Sequence, residues 1–285
     1  MAQPSRKREP VYALGEHSVA YGLRVYFRWH LEGLGNIPKE GPAIVASNHI
    51  SYLDGLSVAY GVHRAGRRPR FLTKSSLFKV PAIGAALKGL GQIPVERGTR
   101  AAPVSLDHAA EALRQGEVVV VFPEGTTTTR PDLTMGPAKS GTARLALATG
   151  LDVVPCATWG GQWIWTKHLG VHLRPLQEVW VRFGSPVSLK DLTGRAGEME
   201  AWREASDRIM EEIALMLEDL RVAKPWAPRE PTRKKFIAEQ EAKKAATAAA
   251  AAKAEEAEPS RPADEEPSGP SAEEPGPPEG EDLSP

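Results

Sequence analysis

The chain has 285 residues, 41% of them hydrophobic, with 36 basic and 36 acidic side chains and a single cysteine. The zero net charge divides unevenly: residues 224–285 hold 14 acidic and 9 basic side chains and the residues before them 22 and 27, so a body basic by five carries a tail acidic by five. So mild an excess suits an anionic membrane surface or phosphorylated substrates, is equally within the range of an ordinary soluble domain, and is too weak to indicate nucleic acid; one cysteine, Cys156, excludes intramolecular disulfides and cysteine-built zinc and fits a reducing compartment.

In chain order, Met1–Pro10 is basic, but no apolar segment with a small-residue cleavage site follows, so no signal peptide is expected. No apolar run reaches about 18 residues, so no bilayer-spanning helix is expected either. His17–Leu31 mixes Tyr21, Leu23, Val25, Tyr26, Phe27 and Trp29 with Arg24 and Arg28 and reads as an amphipathic helix, lying in a membrane interface or packed on the core. Gly33, Gly35 and Pro38 end it. Ala43–Ser47 is a short apolar run after Gly41 and Pro42, the pattern of a buried strand that delivers His49 to a turn. A helix over 55–62 follows, and Ser51 and Asp54 stand at the spacing of a capping box.

Arg64, Arg67, Arg68 and Arg70 form a basic connection into a strand over 70–73. Ser76–Leu90 is apolar, broken by Pro81, Gly84 and Gly89, and reads either as a kinked helix beside an acyl chain or as buried structure. Strands are expected over 92–96 and 117–122, the second a valine run covered on both faces, with a helix over 103–115 between them. A helix over 139–149, strands over 153–158 and 179–183, and a long amphipathic helix over 198–220 complete the body. Its stripe of Trp202, Ala205, Ile209, Ile213, Met216, Leu217 and Leu220 is core packing. This alternation predicts a single α/β domain with a mostly parallel or mixed sheet flanked by helices. The expected boundaries are an N-terminal basic segment and helix over 1–33, the domain over 34–224 and a tail over 225–285. In that tail an Ala/Lys/Glu stretch precedes a Pro/Glu-rich segment without aromatic residues, a composition expected to stay disordered.

Three segments end strands with a functional group beside Gly or Pro: His49 to Asp54, Gly91 to Arg97, and Val121 to Thr126. In a parallel sheet the C-terminal strand ends share one edge, so these groups can meet in one cleft. An imidazole suits proton withdrawal near neutral pH, and a carboxylate five positions on can fix its tautomer, or it can simply cap the helix. With no Gly-x-Ser-x-Gly elbow and no reactive cysteine, the substrate's own hydroxyl is the expected nucleophile. Arg97 is either a phosphate-binding fork or a surface residue. The Pro123-Glu124-Gly125 turn either admits a ligand to its backbone or is an ordinary turn, and Lys139 is expected to be solvated.

Asn48-His49-x4-Asp54, Gly91-x-Ile93-Pro94-Val95-x-Arg97, Phe122-Pro123-Glu124-Gly125-Thr126 and Val154-Pro155-Cys156-Ala157 together resemble, in order and interval, the four motif blocks of the glycerolipid acyltransferases, over about residues 34–185. The resemblance implies His49 as general base and Asp54 as its partner. Arg97, Glu124, Gly125 and Thr126 would bind a glycerol-phosphate acceptor, and the block at Val154 would line the acyl-donor or acceptor site. It further implies acyl-CoA or acyl-carrier protein as donor, a lysophospholipid acceptor, phosphatidic acid as product, no metal or other cofactor, and a peripheral place on the cytoplasmic membrane face. Another lipid hydroxyl, on an aminolipid or glycolipid, or an inactive membrane scaffold are the alternatives. One departure stands out: the family often follows Glu-Gly-Thr with Arg-Ser, whereas Thr127, Thr128 and Thr129 intervene here before Arg130.

Overall fold

The computed structural model describes residues 20–96, 102–128, 130, 132–166, 170–172 and 175–225. Residues 20–26 are helical and run without a loop into strand β1 (Phe27–Glu32). The chain continues through β2 (Ala43–Ser47), α1 (Asp54–Arg64), β3 (Pro69–Lys74), α2 (Pro81–Gly89), β4 (Ile93–Val95) and α3 (Ala102–Arg114). Then come β5 (Val118–Val121), α4 (Gly141–Thr149), β6 (Val153–Trp159), the two-residue strands β7 (Trp165–Thr166) and β8 (Gly170–Val171), β9 (Gln177–Phe183) and α5 (Met199–Ala223).

Seven strands form one sheet in the order β1-β9-β6-β2-β5-β3-β4. The strands β2 to β6 run parallel, while β9 is antiparallel to β6 and parallel to β1, which makes the sheet mixed. Alternate residues of the central strands enter different cores. Ile44, Ala46, Val119 and Val121 pack under α3, α4 and α5, where Ala109, Leu113, Leu145, Ile209 and Ile213 close the layer. Ala43, Val45, Val118 and Val120 face the other way, against Val58 and Val62 of α1. Covering both faces explains why β2 and β5 are unbroken apolar runs; each buried valine contributes roughly 1.5–3 kcal/mol of transfer free energy.

Two expectations are corrected. The helix expected over 17–31 ends at residue 26, and residues 27–32 are an edge strand. The segment Phe-Arg-Trp-His-Leu-Glu alternates with period two, turning Phe27, Trp29 and Leu31 inward and Arg28, His30 and Glu32 outward, which a half-buried strand requires. The second concerns Ser76–Leu90. It is a helical segment, a 3-10 turn over Ser75–Lys79 followed by α2, but it is not buried structure: within α2 only Gly84 is buried. The expectations for Met1 to Val19, for Arg97 and for the tail beyond residue 225 lie outside the described residues. No helix among the described residues is long and apolar enough to cross a membrane.

Candidate active site

Parallel pairing carries several strand ends to one edge. Ala46 of β2 pairs with Val121 of β5, and each chain runs three residues further, to His49 and Glu124. On the other side Ser47 pairs with Cys156 of β6. There the Asn48 side chain prolongs the ladder past the last strand residue: its Nδ2 donates to the Thr158 carbonyl at 3.0 Å and its Oδ1 accepts from the Thr158 N–H at 2.7 Å. A side-chain amide standing in for a peptide group fixes the backbone immediately before His49.

Asp54 is 1% exposed and opens α1 without capping it, since the cap position is Leu53 and carries no side-chain bond. Its carboxylate instead gathers the preceding turn. Oδ2 accepts from the N–H groups of Ile50 and Ser51, each at 2.7 Å, and Oδ1 accepts from the Ser51 hydroxyl at 3.0 Å. Ser51 Oγ in turn accepts from the Leu53 N–H at 3.0 Å. The acidic half of a capping box is therefore kept, reaching back to the Ser51 N–H, while the serine serves Leu53. The same Oδ2 lies 3.1 Å from Nδ1 of His49.

A carboxylate can only accept, so the neutral imidazole carries its proton on Nδ1 and leaves Nε2 with a free lone pair. The ring lies against Phe122, centroids 4.2 Å apart at 21°, and Phe122 stacks in turn on Phe71 at 6.1 Å. With 18% of its side chain exposed, His49 is held yet reachable. Thr127 Oγ1 sits 3.1 Å from Nε2, positioned to donate its proton there. The Thr128 N–H bonds the His49 carbonyl at 2.7 Å and lays this threonine run along the His49 turn.

Glu124 is 4% exposed, and both its oxygens are engaged by backbone: Oε1 by the His49 N–H at 2.9 Å and Oε2 by the Gly136 N–H at 2.7 Å. Burial raises its pKa above the ordinary carboxylate value, against the lowering effect of those two donors. Gly125 takes φ 67°, which a side chain rarely adopts, and its N–H closes the turn onto the Phe122 carbonyl at 2.9 Å. Thr126 stands exposed at the same turn. Lys139 precedes α4 and donates its N–H to the Pro123 carbonyl at 2.9 Å; an added Cβ at Gly125 would stand 3.0 Å from its Nζ. It is exposed, as expected, but leans over the turn.

Of the sequence candidates, His49, Asp54, Glu124, Gly125 and Thr126 thus meet at one edge. Arg97 lies outside the described residues. Cys156 is fully buried within β6, and burial pushes its thiol pKa far up, which leaves it inert. Sequence reasoning gave Asn48 no role, missed Gly161, and placed Thr127 only within a run of hydroxyls at the turn. Only the Thr127 departure from the motif was visible as a signal. Gly161 passes so close to the turn that a Cβ there would lie 2.3 Å from Ser51 Oγ and 3.4 Å from Asp54 Oδ1. Gly161→Ala is expected to displace the serine, costing about 1–3 kcal/mol of stability by overpacking and several-fold in turnover, read from the melting temperature and kcat. No group of three His, Cys, Asp or Glu among the described residues is placed to hold a metal ion.

The stretch that carries this site resembles known proteins. Residues 28–159 match the family model "Acyltransferase". The chloroplastic 1-acyl-sn-glycerol-3-phosphate acyltransferases of Brassica napus and Arabidopsis thaliana are 33% and 34% identical over 137 residues, 47% of this chain. The chain spans 38% and 37% of their respective lengths, well under half. The crystal structure of the 1-acyl-sn-glycerophosphate acyltransferase from Thermotoga maritima superposes with a TM-score of 0.56 at 25% identity, covering 79% of this chain and 86% of that one. In motif order, in the matched stretch and in fold the chain is thus similar to the acyltransferases, and the stretch that matches, residues 28–159, encloses the turn that joins His49 to Asp54.

Proposed function

We propose that the protein transfers a fatty acyl group from a thioester, acyl-CoA or acyl-carrier protein, to the free hydroxyl of 1-acylglycerol 3-phosphate, giving phosphatidic acid and the free thiol. The observation that carries this is the held imidazole: Nδ1 bonded to a buried carboxylate and Nε2 turned toward a hydroxyl. His49 Nε2 removes the acceptor's hydroxyl proton as its oxygen attacks the thioester carbonyl. The tetrahedral oxyanion collapses, the C–S bond breaks, and the thiolate takes the proton back from the imidazolium. Asp54 keeps the ring in the right tautomer and balances its transient charge. Glu124 acts as a positioning residue that anchors the His49 backbone, and Arg97 with the Gly125–Thr126 turn takes the acceptor's phosphate. The domain bounds over 34–224 and a peripheral place on the cytoplasmic membrane face belong to the same proposal.

The test is a panel of lipid acceptors with one labelled thioester donor. Lysophosphatidic acid is expected to be the best acceptor; robust transfer only to phosphate-free aminolipids or glycolipids would overturn both the acceptor and the role given to Arg97.

The Thr127 contact favours a second reading, in which its hydroxyl is the nucleophile and carries the acyl group as an ester before the acceptor removes it. Thr127→Val separates the two. Direct transfer predicts a change of a few-fold, because Asp54 and not Thr127 orients the ring, and sequential initial-rate kinetics. Loss of activity with ping-pong kinetics in the wild type would establish the acyl-threonine route.

A further inference from the structure

A helix that is apolar on every side belongs in a protein core or in lipid. The helix α2 reads Pro-Ala-Ile-Gly-Ala-Ala-Leu-Lys-Gly, with one charge in nine residues, yet only Gly84 is buried. Around it Leu77, Val80, Ile83 and Leu90 are 41–49% exposed. Gly84 explains how the helix is held: a Cβ there would fall 2.2 Å from the Phe78 carbonyl oxygen, so the helix folds back tightly on the 3-10 turn before it and leaves its other sides open.

Charge identifies the occupant. From Arg64 to Val95 the chain carries seven Lys and Arg residues and no Asp or Glu. Arg67 is engaged by the Pro38, Gly41 and Gly116 carbonyls and Arg70 by Glu117 and the Gly91 carbonyl. Lys74, Lys79 and Lys88, around and within the apolar segment, remain exposed. Apolar side chains rimmed by lysines match an anionic bilayer surface, where the apolar face enters about 5–10 Å and lysines meet the headgroups. Position agrees. The segment leaves the C-terminal end of β3, which is parallel to β5, so it emerges at the edge that carries His49 and Glu124. Beyond His49 on that edge, Tyr52 and Trp165 are exposed with ring centroids 5.3 Å apart, an aromatic pair of the kind that seats at membrane interfaces.

We propose that Ser75–Leu90 is a bilayer-docking surface for anionic phospholipid membranes, seating the catalytic edge of the sheet toward the lipid. This deepens the lipid-acceptor reading above and rests on it for its purpose. The test uses the full chain and flotation with phosphatidylcholine vesicles, with and without about one-third phosphatidylglycerol. The Val80→Asp/Ile83→Asp double variant is expected to lose at least ten-fold in bound fraction on anionic vesicles. The Lys74→Glu/Lys79→Glu/Lys88→Glu variant is expected to lose the preference for anionic over neutral vesicles and the salt sensitivity of binding. Both variants should keep the wild-type melting temperature and the wild-type rate on short-chain substrates dissolved as monomers, since the altered side chains lie on the surface. Wild-type vesicle binding by the double variant overturns the proposal. So does a wild-type dimer that the double variant converts to monomer with vesicle binding unchanged, which would assign the patch to a second copy. Vesicle binding is read without turnover, so absence of acyl transfer in every protein would overturn the proposed activity and leave this result standing.

Discussion

Replacing His49 with Ala is expected to lower kcat for thioester-dependent acyl transfer by about 10³-fold while leaving the fold intact. The magnitude follows from the role proposed for the ring. As general base its Nε2 would supply a proton acceptor that no neighbouring group replaces, and a factor of 10³ corresponds to about 4 kcal/mol of transition-state stabilisation. Stability should move little, because the ring is partly exposed and its loss still leaves the Asp54 carboxylate three donors, the Ile50 and Ser51 N–H groups and the Ser51 hydroxyl. Asp54→Asn should differ in kind. Its amide cannot accept from Nδ1, from Ile50 and from Ser51 while also facing the serine hydroxyl, so the turn is expected to lose about 1–3 kcal/mol as well as activity. Steady-state rates paired with melting temperatures check both; a His49→Ala enzyme within ten-fold of the wild type would remove the imidazole from the mechanism.

Glu124→Gln is expected to lower kcat about 10–100-fold with the acceptor KM unchanged and to cost about 1–3 kcal/mol of stability. The amide keeps one acceptor but turns its NH2 toward either the His49 or the Gly136 N–H, a donor facing a donor. The split between constants is informative: if Glu124 contacted the acceptor, KM would rise instead. Titration adds a second readout. Burial holds this carboxyl above its ordinary pKa, so the folded state favours its protonated form. Its contribution to stability is therefore complete below the ordinary glutamate range and is lost as pH climbs through the raised value. Glu124→Gln should flatten that part of the stability profile, measured by denaturant melts across the acidic range.

How much of this was legible in the sequence depends on the distance over which each signal acts. The runs Ala43–Ser47 and Val118–Val121 identify central strands because covering both faces demands continuous apolar residues. The interval between His49 and Asp54 was readable because a turn and the start of a helix bring these positions together locally. Glu124 was read from its motif as an acceptor contact; its bonds to the His49 and Gly136 N–H groups, 75 residues before it and 12 after it, have no local signature. Asn48 bonds Thr158 across 110 residues, and no local pattern announces that bond. The aromatic residues of β1 suit a membrane-interface helix as well as a strand; pairing with β9 decides the matter. Deleting residues 1–31 would consequently remove most of an edge strand as well as the N-terminal segment, so surface substitutions are the cleaner probe of membrane binding. The apolar composition of Ser76–Leu90 was plain, but composition alone does not say which side of the protein surface it occupies.

The pairing of β1 with β9 also shapes the order in which the molecule is built. Phe27 finds its partner in Gln177 and Glu32 in Arg182, each 150 residues further along. At about 5–20 residues per second on the ribosome, β1 waits roughly 8–30 s for the strand that completes its ladder. Closing so long a loop is slow, and an unpaired edge bearing Phe27, Trp29 and Leu31 is open to wrong partners in the interval. Strand β1 is thus locked into the sheet only after β9, most of the domain later, has been made.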